Sequence, residues 1–441
     1  MTFLKHHLAA SLALTFSVAL AAQAAELTPG TRIEAGNLTQ HLGDTFEGHS
    51  IGDLLTERMQ ILIKDEGLAI TLKASEPITL GKDYVAATKA NEGKAVYNRD
   101  TRQVEGWVAG VPFPNVSQDD PDAAAKLIWN HHYAQPIKNL QDYPKFGYLF
   151  LNDKVGLERR QEWAFKRYYM KGRLGTEQTV EGDGSILTKT LLYATYPNDI
   201  RGLGLFTVRY DSPKLEDSWA YVKSVRRTRR LSGGTWMDPI GGTDQLSDDI
   251  EIFNAHPSWY PDYKLLGKRW ILAVANSQGE TWNQKASGNA EFPVIDLDNK
   301  PFWNPKAEWE PREVWVLEAT TPPEHPYSKK VMYMDTQFPR FYQAEAYDRK
   351  GQFWKWMNYH LKTIKTEDGD VGIVSAAGFT IDPVPGEPAK RPFQVAMRCL
   401  EKGFYVRYGG DTIQLAPPFI SEKAEIERLV SALGDALTET N

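Results

Sequence analysis

Four arginines and three aspartates near the middle of this chain are the residues best able to do chemistry. Arg226, Arg227, Arg229 and Arg230 follow an aromatic and β-branched run that begins at Trp219, and a Gly-rich turn separates them from Asp244, Asp248 and Asp249. Guanidinium groups this close repel one another unless anions sit among them. The arrangement predicts charge-assisted pairing of the arginine tract with the acidic cluster, which would satisfy both sides. The other use of the tract is to meet an anionic head group at the mouth of a cavity. The aspartates could hold a hard cation, but they lack EF-hand spacing and four arginines precede them. Asp248 and Asp249 also form the kind of carboxylate pair a hydrolase uses, and such chemistry leaves no local motif by which sequence could exclude it.

The remaining reactive residues point to structure. His131 and His132 are adjacent, so on a helix they project about 100° apart and cannot chelate one metal together. They are expected at the surface or partly packed. His256 lies in the aromatic loop NAHPSWYPDY with no identifiable partner for general-base work. Cys399 is the single cysteine; it cannot close an intrachain disulfide, and beside Met397 and Leu400 it reads as a buried small apolar residue. The chain has no G-x-S-x-G elbow, H-E-x-x-H helix, Walker loop or Rossmann fingerprint placed after a strand. Gly233-Gly234 and Gly241-Gly242 punctuate turns. No catalytic residue, metal site or cofactor is assigned.

The elements that must position these residues are mostly strands. From Arg160 onward the pattern predicts strands over 162–172, 185–197, 202–210, 219–231, 265–276, 312–320, 329–337, 341–349, 352–363 and 372–382. Short links without intervening helices imply antiparallel neighbours, and FYQAEAYDRKGQFWKWMNYH reads as a hairpin. Val314 and Val316 alternate with Trp315 and Leu317, so both faces of that strand are apolar. Such a sheet must be covered on both sides, by helices or by curling around an interior cavity. Helices are predicted over 121–139, where Asp119-Asp120-Pro121 supplies a start, over 421–438, and over 51–66.

The chain carries 13 Trp, 20 Tyr and 18 Phe. Aromatics favour half-buried sheets and line apolar cavities. On strand position alone, the candidate ligand-lining residues are Trp163, Phe165, Trp219, Tyr221, Trp270, Trp315, Tyr333 and Trp354.

The N-terminal segment reads as an export signal over residues 1–24. Lys5 is followed by an apolar stretch from Leu8 to Ala22, too short to span a bilayer comfortably, and by Ala22-Gln23-Ala24, a small-x-small cleavage site. No cysteine follows, so lipid attachment there is excluded on chemistry, and a periplasmic location is expected. Net charge is −6, and −7 once Lys5 is removed. That argues against nucleic-acid binding despite the arginine tract. At 441 residues the chain is long enough to be held by core burial without disulfides. Residues 25–441 are expected to form one β domain, with a mixed α/β extension over about 25–150.

The ordered segments RGLGLFTVRYDSP, DSWAYVKSVRRTRRLSG, GTDQLSDDIEIF, YPDYKLLGKR, EWEPREVWVLEAT, HPYSKKVMYMDTQ and AYDRKGQFWK together resemble DUF1329, a family of exported bacterial proteins of undefined function. The resemblance covers nearly all of the chain after the signal. It implies a fold similar to the outer-membrane lipoprotein-sorting proteins (LolA/LolB-like): a mainly β, strongly curved antiparallel sheet, an incomplete barrel with a few helices plugging or flanking its concave face. It implies as partners an inner-membrane transporter of the resistance-nodulation-division (RND) type and an outer-membrane protein. No catalytic residues come with it. The expected function is a periplasmic carrier or chaperone for a lipid-like or other hydrophobic molecule, moving between inner and outer membrane. The alternatives are an exported hydrolase using paired carboxylates and a non-catalytic envelope assembly protein.

Overall fold

The structure, a computed structural model, describes residues 24–133, 138–152, 154–222, 226–231, 235–240, 245–284, 290–381, 395, 397–399, 401–404, 407–409, 412–414 and 422–439. Most of the expected export signal and Asp244 lie outside these residues. The principal strands are β1 (Arg32–Ile33), β2 (Ile70–Leu72), β3 (Leu140–Asn152), β4 (Gly156–Tyr169), β5 (Ile186–Tyr196), β6 (Gly204–Tyr210), β7 (Asp217–Val222) and β8 (Arg227–Arg230). They continue with β9 (Asp262–Ala273), β10 (Glu308–Thr320), β11 (Tyr327–Asp335), β12 (Phe341–Asp348), β13 (Phe353–Lys365) and β14 (Val371–Ile381). The principal helices are α1 (Leu38–His41), α2 (Ile51–Leu54), α3 (Glu57–Asp65), α4 (Lys82–Asn91), α5 (Ala123–Tyr133) and α6 (Lys423–Glu439).

The strands form two large sheets, and the protein is mainly β with a strongly curled half-barrel sheet. One runs β8-β7-β6-β5-β4-β3. The other runs β1-β2-β10-β11-β12-β13-β14, with β9 also paired to β10. Both meanders, β3 to β8 and β9 to β14, are antiparallel throughout, as short connections require. β2 pairs in parallel with the start of β10. Register shifts interrupt β3–β4, β4–β5, β9–β10, β11–β12 and β13–β14, and such bulges increase twist and bend the strands.

The predicted hairpin forms, with Gln343 opposite Asn358. The single strand expected over 219–231 is instead two. β7 turns back into β8, Trp219 faces Arg230, and Arg226 adopts a left-handed conformation (φ 50°) before β8 begins. The arginine run offers no apolar phase to bury, and folding back leaves its charges in water. Strand β3 precedes Arg160, where the expected strands begin, and it carries Pro144 and Gly147, residues that disfavour a strand interior. It is an edge strand, and its register shift between Tyr143 and Phe146 accommodates the proline.

The eight-stranded sheet is filled on both faces. Trp315, Leu317, Met332, Met334, Met357 and Tyr359 share one face and pack against Ala124, Leu127 and Ile128 of α5. Val314, Val316, Tyr333 and Tyr342 share the other, with Ile271 and Ala273 of β9. Helix α3 adds Met59, Leu62 and Ile63 to a third cluster with Trp309 and Trp356. Each buried side chain of this size contributes about 1.5–3 kcal/mol. Helix α6 closes a separate small cluster around Val395 and Cys399. Cys399 is fully buried, and burial pushes its thiol pKa up.

Candidate functional site

The arginine tract does not meet Asp248 or Asp249 as predicted, and Asp244 lies outside the described residues. Arg226, Arg227, Arg229 and Arg230 are all exposed, and among the described residues no ion pair joins them to Asp248 or Asp249. Arg230 instead bonds Asp217, which also accepts from the Tyr210 hydroxyl at 2.6 Å. Tyr210 first and Arg230 second hold the Asp217 carboxyl at a pKa of about 2. On the edge strand β8 and the residue before it the guanidiniums are exposed to solvent, so the repulsion that pointed to internal pairing is screened.

The partner of Asp248 and Asp249 is Lys330 of β11. Its ammonium lies 2.8 Å from Asp248 Oδ2 and 2.9 Å from Asp249 Oδ1, with all three side chains at 0% exposure. Lys330 also donates to the Ile252 carbonyl at 3.0 Å. The Tyr260 hydroxyl donates to Asp248 and that of Tyr327 to Asp249 Oδ2 at 2.7 Å. His325 accepts from the Tyr327 amide through Nδ1 at 3.0 Å. Its Nε2 therefore carries the proton and faces Asp248 Oδ2 at 3.3 Å. Burial alone would raise the Asp248 carboxyl pKa, but Lys330 and His325 outweigh it and hold the group well below the carboxylate range. The lysine ammonium thus occupies the position between the carboxylates that a hard cation would need.

This cluster shapes the 246–256 turn. Asp249 Oδ2 accepts from the Leu246 amide and Asp248 Oδ1 from the Ala255 amide, each at 3.0 Å. Between them Glu251 and Ile252 take φ of 51° and 74°, a conformation rare for a β-branched residue and costing about 1–3 kcal/mol per residue. The strained turn sends successive carbonyls outward. Phe253 O accepts from His131 Nε2 at 3.0 Å, and Asn254 O accepts from Arg209 Nη2 at 2.6 Å.

His131 and His132 are buried, not at the surface, because α5 is wedged between the sheets and covered nearly all round. Arg340 Nη1 lies 3.2 Å from His131 Nδ1 and donates to the His131 carbonyl at 2.8 Å. Burial, with Arg340 beside it, lowers the His131 pKa to about 3. His256 is buried too and accepts from the Ser258 amide; burial and Arg209 lower its pKa to about 3. Burial first, then His256 and Arg209, hold His132 well below its ordinary value.

A small cleft of about 30 Å³ opens where these elements meet. Its walls are His131 and His132 of α5, Arg167 of β4, Thr188 of β5, Arg209 of β6, the 251–254 turn and Arg340. Arg209 pairs with Glu216 at 2.6 Å. Arg167 donates from Nε to Thr190 Oγ1 at 3.3 Å and makes no ion pair among the described residues.

The cleft lies at the end of one face of the six-stranded sheet. Pairing places Trp163 with Ala194, Phe165 with Leu192 and Leu205, and Arg167 with Thr190 and Thr207 on that face; Tyr169, Thr188 and Arg209 follow. The face therefore runs from apolar to cationic along the strands, with the Arg167 guanidinium 5.1 Å from the Phe165 ring. Trp163, Leu192 and Ala194 are buried, but Phe146, Tyr148, Phe165, Ile200, Leu203 and Leu205 around them are only partly covered.

Of the eight candidate lining residues, Trp163 and Phe165 share this inner face. Trp219 and Tyr221 lie on the opposite, outer face with Phe206 and Leu191, and Tyr221 is 41% exposed. Trp270 is on the surface, stacked on His49. Trp315 and Tyr333 lie on opposite faces of the eight-stranded sheet, and Trp354 packs beside the Trp315 cluster. The eight do not line one cavity. Sequence reasoning missed Lys330, Arg167, Arg209 and Arg340. A signal existed for three of them: Lys330 shares the strand phase of Met332 and Met334, Arg167 that of Trp163 and Phe165, and Arg209 that of Leu205.

A family model described as a protein of unknown function (DUF1329) matches residues 32–382. A solved DUF1329 family protein from Desulfovibrio piger is 16% identical over 56% of this chain and 87% of its own, with a TM-score of 0.33. A LolA superfamily protein from Nitrosomonas europaea is 14% identical over 55% of this chain and 82% of its own, with a TM-score of 0.25. A stretch of 62 residues is 45% identical to the beta-alanine–pyruvate aminotransferase of Pseudomonas aeruginosa. It covers 14% of this chain, and the chain spans only 14% of that enzyme, too little to carry its activity across.

Proposed function

This chain belongs to the DUF1329 family, and on that premise we propose that it is a non-catalytic carrier or chaperone of the periplasm for a lipid-like or other hydrophobic molecule. One observation carries the proposal. The eight-stranded sheet is packed solid on both faces, whereas the inner face of the six-stranded sheet keeps six large apolar side chains only partly covered around Trp163. A folded sheet gains nothing by leaving such a face wet. An acyl chain laid along it would remove both surfaces from water, at about 0.8 kcal/mol for each CH₂ buried. The row from Trp163 to Arg167 spans roughly 13 Å at the strand rise, enough for a medium-length chain.

A hydrolase built on Asp248 and Asp249 is not supported. Both side chains are closed to solvent and occupied by Lys330, so neither substrate nor water reaches them. The partners proposed are an inner-membrane transporter of the RND type and an outer-membrane protein, between which the cargo would pass. Native mass spectrometry of protein purified from its own host tests the function. A co-purifying lipid or other amphiphile is expected; chain mass alone under conditions that preserve lipid complexes would count against a carrier.

A further inference from the structure

We propose that the cleft bounded by Arg167, Arg209 and Arg340 is an oxyanion site that takes the carboxylate or phosphate head group of the carried molecule. The proposal rests on the carrier function above, and it replaces the exposed arginine tract as the place where a head group would be met. Three guanidiniums and one carboxylate, Glu251, line the cleft. Arg209 is matched by Glu216 outside it. Glu251 is held by Ser375 Oγ at 3.3 Å and makes no ion pair with an arginine among the described residues. Guanidiniums thus outnumber carboxylates in the lining, and Arg167 brings a charge with no carboxylate partner among the described residues.

Position supports the same conclusion. Arg167 is two residues from Phe165 on the same face of β4, so an oxyanion held by its guanidinium has its tail directed onto the partly covered apolar row. The cleft's 30 Å³ gives room for head-group oxygens and not for a chain; the apolar body has to lie outside it, on the sheet. Guanidinium groups match carboxylate and phosphate oxygens with paired N–H donors. The backbone around the cleft is fixed by the Lys330 cluster, so little ordering accompanies binding. Glu251 tempers the charge and disfavours highly charged anions.

The test compares decanoate, decanol and inorganic phosphate on delipidated full-length protein, by tryptophan fluorescence and calorimetry. Arg167 is half-buried and bonds only neutral side chains, Thr190 and Tyr169, among the described residues, so Arg167→Gln is expected to fold, as circular dichroism would verify. The wild type should bind decanoate at least about tenfold more tightly than decanol. Arg167→Gln should erase that preference while leaving decanol unchanged, Arg167→Lys should restore part of it, and Glu251→Gln should widen it. Equal binding of decanoate and decanol by wild type, or a preference that survives Arg167→Gln, overturns the oxyanion site and leaves the carrier function standing. If neither ten-carbon compound binds, the carrier function fails. Phosphate binding lost in Arg167→Gln would then support the cleft as a site for a free anion, and absence of phosphate binding overturns the site as well.

Discussion

Lys330 Nζ donates to Asp248 Oδ2 across 2.8 Å, and neither side chain has any exposure to solvent. The pair joins a strand of the eight-stranded sheet to the turn that shapes the cleft, and Asp249 shares the same ammonium. Removing the lysine strands two buried carboxylates. Lys330→Met is expected to lower stability by about 3–5 kcal/mol, the cost of breaking a buried pair from one side. Urea unfolding of Lys330→Met, Asp248→Asn and the double variant forms a cycle, in which the double variant should be less destabilised than the sum by more than about 1 kcal/mol. Simple additivity would show that the two groups do not support each other.

The arginine tract should behave differently. Arg227 and Arg229 are exposed, and no ion pair holds them among the described residues. Arg229→Ala is expected to leave the urea midpoint and apolar-ligand binding unchanged. A large loss of stability would revive pairing with the acidic cluster.

Acid should destabilise the protein before its carboxylates titrate. His131, His256 and His360 are held neutral, with pKa values lowered from 6.5 to about 3 chiefly by burial, while the unfolded chain protonates its histidines near pH 6.5. The unfolded state thus binds more protons between about pH 3 and 6.5. Stability is full above that window and falls as pH drops through it, by at most about 1.4 kcal/mol per pH unit for each histidine. The Asp248 contribution is lost from about pH 4 downward, where the unfolded carboxylate takes up a proton that the folded one, held below the carboxylate range, does not. Urea midpoints at pH 8 and pH 5 should differ markedly, and a flat profile would contradict this assignment.

His360 offers a direct probe of that linkage. It is fully buried, neither ring nitrogen has a hydrogen-bond partner among the described residues, and it packs between Trp309 and Phe379. An unsatisfied buried polar group costs about 1–3 kcal/mol. His360→Phe is therefore expected to hold or raise stability at pH 7 and to flatten the decline toward pH 5. A steeper acid dependence in this variant would be the opposite of what burial predicts.

The strands were legible from their alternation because each buries at least one face, and period two is then enforced residue by residue. Val314 and Val316 against Trp315 and Leu317 foretold a sheet covered on both sides, and the hairpin of β12 and β13 followed from its turn chemistry. Strand β3 was hidden by Pro144 and Gly147, which its edge position and register shift tolerate. Helix α4 was hidden because Tyr84 and Asn91 are its buried residues, too few for an apolar stripe. The candidate site was harder. Charge proximity along the chain favoured an arginine–aspartate pairing, whereas the pairing observed joins residues 82 positions apart. Arg167, Arg209 and Arg340 converge from three elements that share no sequence neighbourhood. Membership of the aromatics in one face could be read only with the register in hand, since Trp163 and Trp219 look alike until pairing puts them on opposite sides.

The central claim is that the inner face of the six-stranded sheet holds the apolar body of a ligand. Fluorescence titration of delipidated protein with a fatty or polyaromatic probe tests it most directly, using two variants from the same sheet. Phe165→Asp puts a charge without a partner on the inner face, which is costly where apolar contact is needed, and Phe206→Asp puts one on the outer face. Wild type is expected to bind the probe saturably, in competition with natural lipid, and binding should weaken by at least about tenfold in Phe165→Asp and be retained in Phe206→Asp. Absence of binding by wild type, or equal loss in both variants with the fold intact, would contradict that claim.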